Sequence, residues 1–203
     1  MKTKTIFTIC LMLIGAMTIQ AQDLKPFKAD NGKWGFKNEN GTIAIKAEYF
    51  NALDFSEGLA LVATIDDLSG FGLYSGWGFI DTKGRMVIAA KYNHASSFSE
   101  GLARVQSSET KSWGFIDKTG KEVIPLIYFD AHSFSEGYAA VRFLEPRKWG
   151  FIDKTGKEII PFVYDKIEAH DFFRPSSHFE NGKAKVKKDG RTFYIDKTGK
   201  EVK

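Results

Sequence analysis

Cysteine is almost missing from this chain of 203 residues: Cys10 is the only one. No intramolecular disulfide can form, and no cysteine-based metal motif or redox pair is available. Proline is also scarce, at five residues. Charge of one sign is not in great excess. The net charge is +4, and Lys2 and Lys4 sit in a leader-like segment, so the rest carries about +2. That is too little for a nucleic-acid-binding domain, which needs a basic stripe. Several remaining lysines, such as Lys118, Lys121, Lys154 and Lys157, fall in turn-like segments, where they act as solubilising charges. Recognisable catalytic patterns are lacking as well. There is no G-x-S-x-G, no phosphate-binding glycine loop, no dinucleotide glycine set and no H-E-x-x-H. No nucleophile, base and orienting group form a set, so neither an enzyme nor a cofactor is expected.

The one long apolar run spans residues 6–14. It is too short to cross a bilayer, which takes about 20 residues. It follows Lys2 and Lys4 and precedes Gly15, Ala16 and Ala21. A basic start, a short apolar run and a small residue before cleavage make a secretory signal peptide over residues 1–21, cut after Ala21. Cys10 lies inside the run rather than just after it, which argues against a lipid anchor. The expectation is a secreted or periplasmic protein of residues 22–203 with no transmembrane span and no cysteine.

What is abundant is phenylalanine, with 18 residues, and glycine, with 19. They recur in register. Trp34, Trp77, Trp113 and Trp149 are each followed by Gly and Phe, at spacings of 43, 36 and 36 residues. A fifth copy reads Thr192-Phe193-Tyr194-Ile195-Asp196. A second block repeats in step: Phe55-Ser56-Glu57-Gly58, Phe98-Ser99-Glu100-Gly101, Phe134-Ser135-Glu136-Gly137 and an altered Phe179-Glu180-Asn181-Gly182. Tyr49, Tyr92, Tyr128 and Tyr164 mark a third position. This pattern resembles the WG-repeat family, also called KWG repeats, over nearly all of residues 27–203. The resemblance implies a β-rich repeat domain common in bacterial secreted and cell-envelope proteins, and no catalytic residues.

Trp113, Phe115 and Asp117 alternate with Gly114 and Ile116, the period-two signature of a strand. Asp117 to Gly120 suits a type I turn, with Gly able to take a positive φ. Residues 122–125 pair back as a hairpin, with Pro125 confined to a strand end or an edge. Residues 102–105 alternate upstream and form a further strand. In the first copy Pro26-Phe27-Lys28 stands in for it. Each copy is therefore a three-stranded antiparallel meander, centred in turn on Trp34, Trp77, Trp113, Trp149 and Phe193. Short helical turns fit the linkers from Tyr to Phe. One such unit cannot bury enough apolar area alone, so the five must stack. The fold class is all-β: five tandem meanders in an open twisted array, or in a closed propeller-like ring. Ile80, Ile116, Ile152 and Ile195 share a position that holds Lys37 in the first copy, and Thr192 replaces Trp in the last. Polar substitutions at both ends favour the open array, because a ring has no ends to cap.

Several repeated residues invite a functional reading. The Trp residues could stack on sugars, but their constant W-x-F spacing points to a core role. Asp81, Asp117, Asp153 and Asp196 each stand alone before a turn glycine, unlike a calcium loop. Glu57, Glu100 and Glu136 could line a surface as an acidic row, and turn or capping use fits them better. His94 and His132 stand apart; His170, Asp171 and His178 lie close together without a metal-binding motif, so no metal is assigned. Two insertions break the repeat. Residues 63–76 carry Phe71, Leu73 and Tyr74 among glycines, and residues 168–178 carry Phe172, Phe173 and Arg174. Loops that depart from a scaffold's plan often carry binding. These six residues are the candidate ligand contacts. The expected role is a non-catalytic module that binds a protein or a cell-surface polymer, with a carbohydrate- or cell-wall-binding module as the alternative. A protein or polymer partner is expected, and nucleic acid is not.

Overall fold

The structure, a computed structural model, describes residues 24–65, 74–167 and 179–203. Within them all regular structure is β, arranged as five antiparallel sheets in chain order. Sheet 1 holds β1 (Lys25–Lys28), β2 (Trp34–Lys37) and β3 (Ile43–Tyr49). Sheet 2 holds β4 (Asn51–Ser56), β5 (Leu59–Ile65), β6 (Tyr74–Ile80) and β7 (Met86–Tyr92). Sheet 3 holds β8 (His94–Ala95), β9 (Ala103–Gln106), β10 (Trp113–Ile116) and β11 (Glu122–Tyr128). Sheet 4 repeats this with β12 (Asp130–Ala131), β13 (Ala139–Arg142), β14 (Trp149–Ile152) and β15 (Glu158–Tyr164). Sheet 5 holds β16 (Lys166–Ile167), β17 (Phe179–Glu180), β18 (Lys183–Lys188), β19 (Arg191–Asp196) and β20 (Glu201–Val202).

The expected meander is present in every sheet, and sheets 2 to 5 add a further strand beside it. It comes from the linker after each Tyr, where short helical turns were expected. Ala95 pairs with Val105 and Ala131 with Val141. The linker backbone lies against a half-buried strand edge, and pairing with that edge satisfies its N–H and C=O groups.

Each inner sheet buries both faces, one against the sheet before it and one against the sheet after it. Trp113, Phe115, Ile124 and Tyr128 of sheet 3 face Ala139, Val141 and Ile152 of sheet 4. On the other face of sheet 3, Val105 and Ile116 meet Leu61, Phe79 and Tyr92 of sheet 2. The same arrangement joins sheets 1 and 2 and sheets 4 and 5. A pair of rings recurs at every boundary. Phe36 meets Phe55, Phe79 meets Phe98 and Phe115 meets Phe134 with centroids 4.9 Å apart, and Phe151 meets Phe179 at 5.0 Å. Tilted contacts at this range suit the aromatic quadrupole. The Trp residues belong to this packing: Trp149 is buried, and Trp34, Trp77 and Trp113 are half-buried against the clusters.

The glycine of each W-G-F has a specific cause. Between Trp113 and Phe115, β11 bulges by two residues. The bulge presses its backbone onto Gly114, so an added Cβ would lie 2.6 Å from the carbonyl oxygens of Ile124 and Pro125. Gly35, Gly78 and Gly150 are crowded in the same way. Pro125 is accommodated because it falls within the bulge of an edge strand. In the fifth copy Phe193 stands at the Gly position. Beside it β20 pairs with Tyr194 and Ile195 and carries no bulge over it, so the ring packs against the last core cluster.

The array is open, and four core clusters join successive sheets. Among the described residues none joins sheet 5 to sheet 1. Both ends are capped by polar side chains. At the first end Lys37 lies 4.2 Å over the Phe27 ring. At the last, Lys185 and Lys187 pair across from Tyr194 and Thr192 on the outward face. The matching positions of sheet 2 hold Leu61 and Ala63, which are buried. A sheet without a neighbour replaces apolar residues with long charged ones that keep their heads in water.

Candidate functional site

The repeated polar residues are occupied by architecture. Asp117 accepts from the Thr119 N–H at 2.8 Å, from the Thr119 hydroxyl at 2.6 Å and from the Lys121 N–H at 3.1 Å. Asp153 and Asp196 repeat these bonds. Their hydrogen bonds hold all three carboxyls below the usual range, foremost those from Thr119, Thr155 and Thr198. They are turn residues.

The glutamates act between sheets. Glu57 and Gly58 both take positive φ, at 52° and 92°. This is the two-residue hairpin turn usually filled by Asn or Gly. Glu100 and Glu136 occupy the same conformation. Glutamate is held in this uncomfortable region because its carboxylate reaches the next sheet. Glu57 accepts from the Gly101 N–H at 3.1 Å, Glu100 from Gly137 at 2.9 Å and Glu136 from Gly182 at 2.9 Å. A lysine of the next sheet joins each: Lys118 at 3.0 Å, Lys154 at 3.2 Å and Lys197 at 3.1 Å. The preceding serines bond forward too, Ser56 to the Phe98 carbonyl, Ser99 to Phe134 and Ser135 to Phe179. For Glu57 and Glu136, burial pushes the carboxyl up. The hydrogen bonds from lysine and glycine outweigh it and leave both below the ordinary range.

With these residues assigned to structure, the clefts between sheets remain. Two of them hold a cavity at the same repeat position. The first, of about 430 Å³, is lined by Lys33, Glu48, Tyr49, Thr64, Gly84 and Met86. The second, of about 350 Å³, is lined by residues including Lys91, Tyr92, Ser107, Glu109, Glu122 and Leu126. Tyr49 and Tyr92 are equivalent in the repeat, as are Thr64 and Ser107, Gly84 and Gly120, and Glu48 and Lys91. Burial, followed by the charge of Glu48, pushes the Tyr49 phenol up to about 12. Burial and the charge of Glu122 raise Tyr92. Both phenols are therefore protonated at neutral pH. Tyr49 donates its hydroxyl to the Gly84 carbonyl oxygen at 3.4 Å, which leaves its own oxygen to accept.

The third cleft differs. The positions of Thr64 and Ser107 hold Phe143, and that of Leu126 holds Phe162. Phe143 lies 5.1 Å from Tyr128 and 5.2 Å from Phe162, so three rings fill the place of the cavity. The filled cleft differs from the open ones at the position of Thr64, Ser107 and Phe143, at the end of the first strand of the W-G hairpin, and at that of Leu126 and Phe162. Those columns are visible in the sequence once the copies are aligned, but nothing in a single copy marks them.

Of the six candidate contacts, Phe71, Leu73, Phe172, Phe173 and Arg174 lie outside the described residues, as do residues 1–21, His170, Asp171 and His178. Tyr74 opens β6 and pairs with Ile65. The first insertion leaves β5 directly after Thr64 and Ile65, at the rim of the first cleft. The second leaves the edge of sheet 5, between β16 and β17. The anchors of the two insertions are separated by sheets 3 and 4. Among the described residues no group of three His, Cys, Asp or Glu side chains is placed to hold a metal ion. No helix there is long and apolar enough to cross a membrane.

A comparison with curated proteins returns no match. Among solved structures, the crystal structure of Citrobacter koseri AztD is similar, with 14% sequence identity and a TM-score of 0.45. The likeness covers 90% of this chain and 55% of that one, so the chain spans about half the length of that protein. The model of the WG containing repeat matches residues 34–64, 77–108, 113–143 and 149–173, each match beginning at the Trp of one of the first four sheets and running on into the chain that follows that sheet. The chain belongs to the family of proteins built from WG containing repeats.

Proposed function

We propose that this is an exported, non-catalytic binding module that holds a protein segment or a cell-surface polymer along the clefts of sheets 1 to 3. One observation carries this reading: the same cavity occurs twice in succession, lined by matched Tyr and hydroxyl residues, and is filled by aromatic rings in the third cleft. Cavities of several hundred Å³ with a few convergent polar groups are the usual form of a binding site. A non-catalytic role is supported by the repeated carboxylates, which are taken up by turns and by contacts between sheets. The insertion that carries Phe71, Leu73 and Tyr74 follows Thr64 of the first cleft in the chain. Export rests on the leader-like residues 1–21, and the exported chain should begin at Gln22.

The test is retention of the immobilised protein's partner from the host's cell-envelope fraction. The doubly substituted Thr64→Phe/Ser107→Phe protein, with both cavities filled, should lose the partner while keeping the β circular dichroism of the parent. Undiminished retention by that variant would overturn the reading.

A further inference from the structure

We infer, resting on the binding role proposed above, that the two clefts take consecutive segments of one neutral saccharide chain. The cavities occupy the same repeat position in adjacent sheet boundaries. Packed sheets lie about 10 Å apart. One ligand filling both must therefore be a chain that presents the same chemistry again after about that distance, which a linear polysaccharide does.

The linings narrow the class. The first cavity has one lysine and one glutamate, Lys33 and Glu48. The second has Lys91 with Glu109 and Glu122. Neither has a cationic excess, so a polyanion such as a nucleic acid or an acidic glycan is not favoured. Each is lined by both donor and acceptor groups: a Tyr phenol, a Thr or Ser hydroxyl, an ammonium group and a carboxylate. A sugar's vicinal hydroxyls use both kinds at once. Met86 in the first cavity and Leu126 in the second give an apolar surface beside the Tyr, suited to the C–H face of a pyranose ring.

A peptide added as an extra strand fits poorly. It needs a straight, unpaired edge. The edge strands β3, β7, β11 and β15 all carry a bulge, and Pro125 and Pro161 interrupt two of them. Bulges and prolines at an edge are devices against strand addition.

The third cleft shows how a cavity of this repeat is closed, and it supplies the test. Phe is already accommodated at position 143, so Thr64→Phe and Ser107→Phe place a ring that the repeat is built to hold. Isothermal titration of the full exported chain with N-acetylchitohexaose, cellohexaose and mannohexaose should show one hexasaccharide bound per chain for at least one of the three. The matching disaccharide should bind more weakly, with two per chain. Either single variant should reduce the disaccharide to one per chain. It should also weaken the hexasaccharide about 100-fold, the loss expected when one of two linked contacts is removed. A heparin hexasaccharide should not bind. Failure of all three neutral hexasaccharides, while the double variant still loses its envelope partner, overturns the saccharide class and leaves the binding role standing. Saccharide binding that neither variant alters overturns both.

Discussion

The carboxylate of Glu136 accepts a hydrogen bond from the Gly182 N–H at 2.9 Å, across the boundary between the fourth and fifth sheets. At the matching position of sheet 5 stands Asn181, also at positive φ. Glutamate occupies this turn where a following sheet supplies a glycine N–H and a lysine, and asparagine where none follows among the described residues. Ser135 and Glu180 differ for the same reason, because the serine bonds forward to the Phe179 carbonyl. Lysine follows the turn aspartate at 118, 154 and 197, where a preceding sheet offers a glutamate. The same position holds Thr82 in sheet 2 and Glu39 in sheet 1.

Glu136→Asn should therefore lower stability without straining the turn, since Asn tolerates the left-handed region. The expected loss is about 1 kcal/mol, at the low end for a hydrogen bond to a charged group because the site is partly exposed. Urea unfolding should show a lower midpoint at an unchanged slope. An unchanged midpoint would mean that the forward contact adds nothing.

Stability should fall in acid. The carboxyls of Glu57, Glu136, Asp81, Asp117, Asp153 and Asp196 all lie below their ordinary values in the folded chain. A depressed carboxyl adds stability that is fully present above its unfolded value and is lost as pH falls through its folded value. Urea midpoints should hold steady from neutral pH down toward about 5 and then drop below about 4. Glu136→Asn should show a shallower drop than the parent, because one of the linked protons has been removed.

Gly114→Ala should destabilise by about 1–3 kcal/mol or more, because its Cβ would lie 2.6 Å from two backbone carbonyl oxygens that a side-chain rotation cannot move. Gly101→Ala, also at a glycine, should cost less and for another reason. Nothing lies within 4 Å of a Cβ there, and the penalty is the positive φ of 87° alone. Thermal melting of the two variants side by side separates crowding from backbone strain.

Phe115→Ala should cost about 3–5 kcal/mol, the range for a fully buried large aromatic, and Trp113→Ala somewhat less, because Trp113 is only half-buried. A Trp113→Ala protein that melts like the parent but binds no partner would return the tryptophan to the role of a ligand platform.

Removing sheet 5, from residue 166 onward, should leave sheets 1 to 4 able to unfold cooperatively at a lower urea midpoint. In a stacked array stability is close to a sum of unit and neighbour terms. The shortened chain should also lose solubility, because Phe151, Ile160 and Tyr164 become an open face. Complete loss of β circular dichroism would show that the sheets do not contribute separately.

The copies of W-G-F, F-S-E-G and Tyr determine by themselves that the chain is all-β, where its repeats fall, and that Asp and Gly make the turns. These features depend on side-chain alternation and on φ preferences within a few residues, which a linear sequence displays directly. Lys37 and Thr192 likewise mark the ends of an open stack, since an exposed face calls for polar residues. Tertiary structure alone decided the rest. The fourth strand, the crowding that forbids a side chain at Gly114, and the forward reach of Glu57, Glu100 and Glu136 all depend on which backbone lies opposite. In the glutamate contacts the partners are 44, 37 and 46 residues apart. The clefts are the clearest case. Thr64, Ser107 and Phe143 are unremarked positions along the chain, and only packing one sheet on the next makes two of them the mouth of a cavity and the third its plug.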